Sequence, residues 1–107
     1  MRVVRILAAA VEEAAEAAAW YEKERSGLGD DSQHAIEAAL DILEQDIVPL
    51  TPAPGASGAS GAQSVKRLIL RRFPYAVILH ERNTEILVIA FAHHSRRPGY
   101  WRDRVRA

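Results

Sequence analysis

Residues 65–101, VKRLILRRFPYAVILHERNTEILVIAFAHHSRRPGYW, decide how this chain is read. Val65–Arg72, Tyr75–Arg82 and Glu85–His94 are runs rich in β-branched and aromatic residues, parted by Phe73-Pro74 and Asn83-Thr84. Such runs between turn residues predict three antiparallel strands. If both breaks are tight turns, Arg82 faces Glu85, Leu79 faces Val88, Tyr75 faces Ala92, and Ile69 faces Ile78. Side chains alternate faces along a strand, so one face carries Leu68, Leu70, Val77, Leu79, Ile86, Val88, Ala90 and Ala92 and should bury against helices. The other mixes Ile69, Ile78, Leu87, Ile89 and Phe91 with Arg67, Arg71, His80 and His93, and is expected to meet a partner at Phe91, Ile89 and Arg71. A slip of one residue would exchange the two sets.

The same register gathers Arg71, Arg72, Tyr75, His93, His94, Ser95, Arg96 and Arg97 at one end of the sheet. Pro98-Gly99 then turns the chain, and Tyr100-Trp101 supplies a bulky anchor before the basic tail RDRVRA.

Working outward, Arg2–Ile6 is short and β-prone, a candidate leading strand. Ala8 to about Arg25 holds eight alanines and no glycine or proline, which predicts a helix. Its apolar stripe is read as Val11, Ala14, Ala15, Ala18 and Tyr21, small enough for a neighbouring helix to come close. Gly27 suits a left-handed C-cap, with Lys23 and Arg25 in the last turn. Asp30 with Gln33 reads as a capping box for a second helix from Asp31 to about Asp46, whose stripe is Ile36, Leu40, Leu43 and Ile47. So short a connection makes an antiparallel helical hairpin. Residues 49–64, PLTPAPGASGASGAQS, read as a flexible Pro/Gly/Ser-rich surface loop.

At 107 residues the expectation is one domain with one core, residues 1–107. With no cysteine, disulfides and thiolate metal sites are excluded. No apolar run approaches a membrane span, so a cytoplasmic protein without a membrane partner is expected. The net charge of +0 conceals a division. Residues 1–64 hold four basic residues against eleven acidic ones, a formal −7, and residues 65–107 hold ten against three, a formal +7. An acidic helical layer beside a basic sheet-and-tail layer favours an anionic partner on one side, or mutual attraction between the layers.

Taken together, HHSRRPGYW, RRFPYAVIL, AAAWYEKERSGLGDD and the paired helices resemble the RelE/ParE superfamily, the small toxins of type II toxin–antitoxin modules. The likeness runs from the first strand to Trp101 and rests most on Arg72-Phe73-Pro74-Tyr75, the Ile-Leu-Val-Ile-Ala strand, and His-x-x-Arg-x-Pro-x-Tyr-Trp from His94. It implies an α+β fold in which an N-terminal strand and an antiparallel two-helix hairpin pack on a small antiparallel sheet. It also implies a cognate antitoxin, growth inhibition and plasmid stabilisation.

Two activities occur among such proteins: RelE-like members cut mRNA on the ribosome, and ParE-like members act on DNA gyrase without that catalytic set. Carried across, Lys66 or Arg67, Arg72, Arg97 and Tyr100 stand where a RelE-like enzyme holds its basic groups and tyrosine. The long hairpin and the HHSRRPGYW ending look more ParE-like, and the loop at 49–64 exceeds the linkers of the pattern. A third alternative is a homologue that has lost toxicity and retains antitoxin binding.

Metal-independent RNA cleavage would need a base for the 2′-hydroxyl, cations on the phosphate and a proton donor. His93 or His94 could serve as the base, Arg72 and Arg97 could grip the phosphate, and Tyr100 could stack on a nucleobase. For a binding protein the same end offers Arg67, Arg71, His93, Arg96 and Trp101. The bland alternatives are solvated histidines, a core anchor at Tyr100-Trp101, and arginines paired with the acidic helices. A metal is not expected: His80 and His93 lie near opposite ends of the sheet, and adjacent His93 and His94 point to opposite faces. No glycine-rich phosphate loop is present, so no cofactor is expected. The acids of residues 12–46 are read as solvent-facing.

Overall fold

A computed structural model of the chain describes residues 3–45, 50–53, 65–82 and 84–105. The elements are β1 (Val3–Ile6), α1 (Ala8–Glu24), α2 (Leu28–Gln45), β2 (Thr51–Pro52), β3 (Val65–Ile69), β4 (Tyr75–Glu81), β5 (Glu85–His93) and α3 (Arg102–Val105). They build one five-stranded sheet in the order β1-β5-β4-β3-β2, with the α1–α2 hairpin on one face. The class is α+β as expected, but the sheet is mixed, because β1 pairs parallel to β5. Thr51–Pro52, read as part of a loop, forms a short edge strand against Arg67 and Lys66. Residues 49 and 54–64 of that loop, with Asp46 and Ile47 of the expected second helix, lie outside the described residues. No helix among the described residues is long and apolar enough to cross a membrane.

The hairpin follows from small residues. Ala10, Ala14 and Ala17 are the buried positions of α1, so the stripe is rotated from the expected one: Val11 is 52% exposed and Ala15 is exposed. On α2, Ile36 and Leu43 are buried as expected, Leu40 is half-buried against the core, and Ala39 is buried in addition. Gly27 takes φ +91°, a backbone that side-chain-bearing residues rarely adopt. The helix that follows begins at Leu28, so Asp30 lies in its first turn and is not the cap. The reason is Glu22, whose carboxylate accepts the Gly27 N–H (3.1 Å) and the Gly29 N–H (3.0 Å). That anion on the amides at the start of α2 does what an Asp30 cap would have done, three residues earlier.

The strands also depart from simple alternation. Leu79 faces Val88 as predicted, yet Ile78 faces Ala90, so Ile89 has no opposite number and β5 carries a bulge there. An extra residue on one strand reverses the facing of everything beyond it. Phe91 therefore enters the helix-side core with Phe73, Val77, Leu79, Ile86 and Val88, and Ala90 and Ala92 turn to the other side. Tyr75 consequently faces His93 and not Ala92. In the first hairpin Ile69 faces Ala76, two residues from the expected partner, which preserves the faces. Strand β3 ends at Ile69, leaving Arg71 and Arg72 in the bend that follows.

The second face is not an open surface. Trp101, 2% exposed, packs in a cluster with Val65, Ala76, Ile78, Leu87, Ile89 and Ala90. Helices cover one face and the C-terminal segment covers part of the other. The central strands are therefore buried on both sides and read as continuous apolar runs.

At Gly29 the second helix comes close to the backbone of the first. A Cβ there would lie 2.7 Å from the Ala18 backbone oxygen and 2.9 Å from Glu22 Oε1. Helix propensity would favour alanine by up to about 1 kcal/mol, but overpacking against backbone costs about 1–3 kcal/mol. Gly29→Ala should therefore lower the melting temperature by roughly 4–8 °C in thermal unfolding followed by circular dichroism. An unchanged or raised midpoint would refute the close-contact account.

Candidate functional site

Beyond Val88 the edge of β5 loses its strand partner, because Leu7 takes the Val88 carbonyl (3.0 Å) and the chain turns into α1. Side chains complete the next backbone groups. Arg104 Nη1 donates to the Ile89 carbonyl at 3.0 Å, and Glu13 Oε1 accepts the Phe91 N–H at 3.1 Å. Glu13 also accepts Arg104 Nη1 at 2.8 Å and the Tyr100 hydroxyl at 2.7 Å. One carboxylate on α1 thus fixes the bulged strand and the C-terminal segment together. Its side chain is 15% exposed and that of Arg104 is 23% exposed, so the pair is shielded from much of the solvent screening. Both residues escaped the sequence reading. Glu13 sits among alanines like any solvent-facing helix acid, and Arg104 looks like part of a charged tail.

This latch shapes two adjoining cavities at the basic end of the sheet. The first, about 90 Å³, is lined by Arg67, His94, Arg96, Arg97, Tyr100 and Trp101 together with Ala76, Ile78, Ala92, His93 and Pro98. Among the described residues no acidic side chain lines it. The Arg67 Nε is buried, without a hydrogen-bond partner among the described residues. The second, about 230 Å³, runs along α1 and is lined by Glu13, Glu16, Ala17, Trp20, Tyr75, Phe91, His93, Arg96 and Tyr100. Trp20, 58% exposed, stands at its rim and was not among the residues singled out from sequence.

The expected site residues divide. Arg97, His94 and Tyr100 do meet around the first cavity, with Arg67, Arg96 and Trp101. Arg72 turns to the helices, donating to Asp31 Oδ2 at 3.0 Å, and Arg71 is exposed in the same bend. Glu13 is thus withdrawn from solvent, whereas Asp31 and Glu22 hold their partners from positions that solvent still reaches. Ile89 and Phe91, expected on a partner-facing surface, are 0% and 3% exposed, because the bulge turns Phe91 inward and Trp101 closes over Ile89. Lys66 is half-buried opposite Leu79 and lines neither cavity.

The chemistry of the histidines and the tyrosine is also constrained. His93 Nδ1 accepts the Ser95 N–H (3.0 Å) and lies 2.7 Å from Ser95 Oγ, so the neutral ring carries its proton on Nε2. Its ring meets Tyr75 edge-on at 5.0 Å. His94 is exposed, anchored by its backbone N–H to the Pro74 carbonyl at 2.8 Å. The Arg96 guanidinium stacks 4.0 Å from the centre of the Tyr100 ring. Burial, and then the hydrogen bond to the Glu13 carboxylate, push the Tyr100 phenol well above its ordinary range. Among the described residues no group of three or more potential ligands is placed to hold a metal ion.

No protein-family model matches the chain, and no curated protein matches it by sequence. Among solved structures it is similar to a chain of the chromosomal ParDE TA system from P. aeruginosa, at a TM-score of 0.59 and 15% identity. The match covers 87% of this chain and 96% of the other. At that identity the likeness is one of fold.

The folded state holds the Tyr100 proton more tightly than the unfolded chain does. It therefore contributes stability that is complete below about pH 10 and is lost as pH rises through the folded-state value. Phenolate absorbance of the folded protein should rise later than that of free tyrosine, since Tyr21 and Tyr75 are also raised by burial. Tyr100→Phe should remove the last-ionising group and Glu13→Gln should bring it earlier. A Tyr100 phenol that ionises like free tyrosine would contradict the latch.

Proposed function

We propose that this chain is the toxin of a type II toxin–antitoxin module, of the ParE-like kind, which binds DNA gyrase and is silenced by a cognate antitoxin. The module reading is supported by a fold likeness that takes in nearly all of a chain from a ParDE TA system, and by the sequence resemblance from the first strand to Trp101. Growth inhibition and plasmid stabilisation belong to the same proposal.

What favours gyrase binding over RNA cleavage is how the reactive groups are occupied. The Tyr100 hydroxyl donates to Glu13, and Arg72 pairs with Asp31 on the far side of the bend. A phenol with its proton held by a carboxylate is a poor acid for a leaving oxygen. An arginine on the other face cannot share a phosphate with Arg97. The binding surface left at this end is a basic cavity continuous with an aromatic groove, suited to docking on a protein. A RelE-like ribonuclease is the second reading. Its support is that Arg67, His94, Arg97 and Tyr100 do line one cavity.

The two readings separate in growing bacteria within minutes of induction. The gyrase reading predicts that thymidine incorporation falls before methionine incorporation. An early fall in methionine alone would overturn it in favour of mRNA cleavage. In that case Arg97→Ala should abolish transcript cutting while the protein stays folded.

A further inference from the structure

The second cavity does not stop at Trp20. It adjoins a third of about 250 Å³, lined by Trp20, Tyr21, Tyr75, His93 and Ser95, and the two share Trp20, Tyr75 and His93. The rings stand edge to face, Trp20 against Tyr21 at 5.1 Å and Tyr75 against His93 at 5.0 Å. Together they wall a groove along α1 in aromatic surface, with Trp20 largely open to solvent in its middle.

A carboxylate faces the same space. Glu16 stands four residues before Trp20 on α1, which makes the two neighbours on the helix surface. Glu13 is occupied by Arg104 and Tyr100, but among the described residues no hydrogen bond or ion pair engages Glu16. Burial raises the Tyr75 phenol first, and Tyr21, Glu13 and Glu16 add to the rise, so the field at that wall is negative. Arg96, a cation of the groove's own, is stacked on Tyr100 at 4.0 Å and does not line the third cavity.

We propose that this groove receives an arginine side chain from a partner protein, its guanidinium lying against the Trp20 and Tyr75 rings and donating to the Glu16 carboxylate. Assigning that arginine to the antitoxin rests on the toxin–antitoxin reading; the guanidinium site itself does not. The choice of guest follows from charge and shape. An aromatic face attracts a cation, tryptophan most strongly. An apolar guest would cover the rings but strip water from a carboxylate and give it nothing in return. A nucleic acid would lay phosphates beside Glu13 and Glu16. A guanidinium suits both walls at once, because it stacks as a plane and donates from its rim, whereas a lysine ammonium is a compact and strongly hydrated point charge.

The test is NMR of the two tryptophan indole N–H signals of the full chain. Trp20 reports on the groove, and Trp101, buried in the cluster on the other sheet face, is the internal control. The probes are N-acetyl-arginine N-methylamide, its lysine counterpart, its citrulline counterpart, which keeps the shape without the charge, and the dinucleotide ApA. The arginine probe should shift the Trp20 signal saturably, with a dissociation constant on the order of 10 mM, and leave Trp101 in place. Lysine should bind about threefold more weakly, and citrulline and ApA about tenfold more weakly or worse. Glu16→Gln preserves shape and removes charge. It should leave the unbound spectrum in place and weaken the arginine probe about tenfold. Equal binding of lysine or citrulline, tighter binding of ApA, an undiminished response in Glu16→Gln, a Trp101 shift as large as that of Trp20, or no saturable shift would each overturn the guanidinium site. Because no probe contains a partner protein, such a failure leaves the growth-arrest experiment to judge the toxin reading by itself.

Discussion

A single carboxylate holds this fold's working end together. Glu13 bridges three structural layers: it lies on α1, accepts the backbone N–H of Phe91 in the bulged strand, and binds Tyr100 and Arg104 of the C-terminal segment. The need for it begins with geometry. Strand β1 is short, β5 runs past it, and an edge left in a buried place must find acceptors and donors elsewhere. Glu13 and Arg104 supply one of each, and the segment they capture carries Trp101 onto the second sheet face. The cavities at that end exist because Tyr100 is drawn to one side, toward α1, while Trp101 seals the floor.

The charge division of the sequence takes on two meanings in the folded chain. Part of it is internal: Asp31 holds Arg72, and Glu13 holds Arg104. These pairs cross between the acidic helical half and the basic half, as layer-to-layer attraction requires. The remainder faces outward. The first cavity gathers Arg67, Arg96 and Arg97 with no acid on its lining among the described residues, whereas its neighbour along α1 is bordered by Glu13 and Glu16. Such a sequence of charges reads a ligand with mixed charge more readily than a uniform polyanion.

Much of this was legible in the residues. The helical hairpin announced itself by an alanine-rich run, a glycine turn and the Ile36–Leu40–Leu43 spacing. The three strands were found, although the first break is wider than the tight turn expected at Phe73-Pro74, and the clustering of His94, Arg96 and Arg97 near Tyr75 followed from connectivity. What was missed has a common physical cause, which is that long-range contacts override local pattern. ILVIAFA contains no glycine or polar residue to mark a bulge, so alternation was carried one residue too far and Phe91 was placed outside. Asp30 looked like a cap because nothing local reveals that Glu22 reaches back over the turn. The α1 stripe slipped by one position because alanine serves a buried face and an exposed one equally well. Within the site, Arg67 was named for its charge. Only the folded chain shows that its Nε is buried without a partner among the described residues.

The account stands most directly on whether Glu13 ties the bulge and the C-terminal segment into one unit. Native-state hydrogen exchange of Glu13→Gln, which preserves shape and removes charge, would measure it. The account predicts that the Phe91 amide and the amides of residues 100–105 lose protection together, by roughly tenfold to a hundredfold, while the β4–β5 amides near Leu79 and Val88 keep theirs. Phe91 exchanging as slowly as before, or opening without the C-terminal segment, would contradict it.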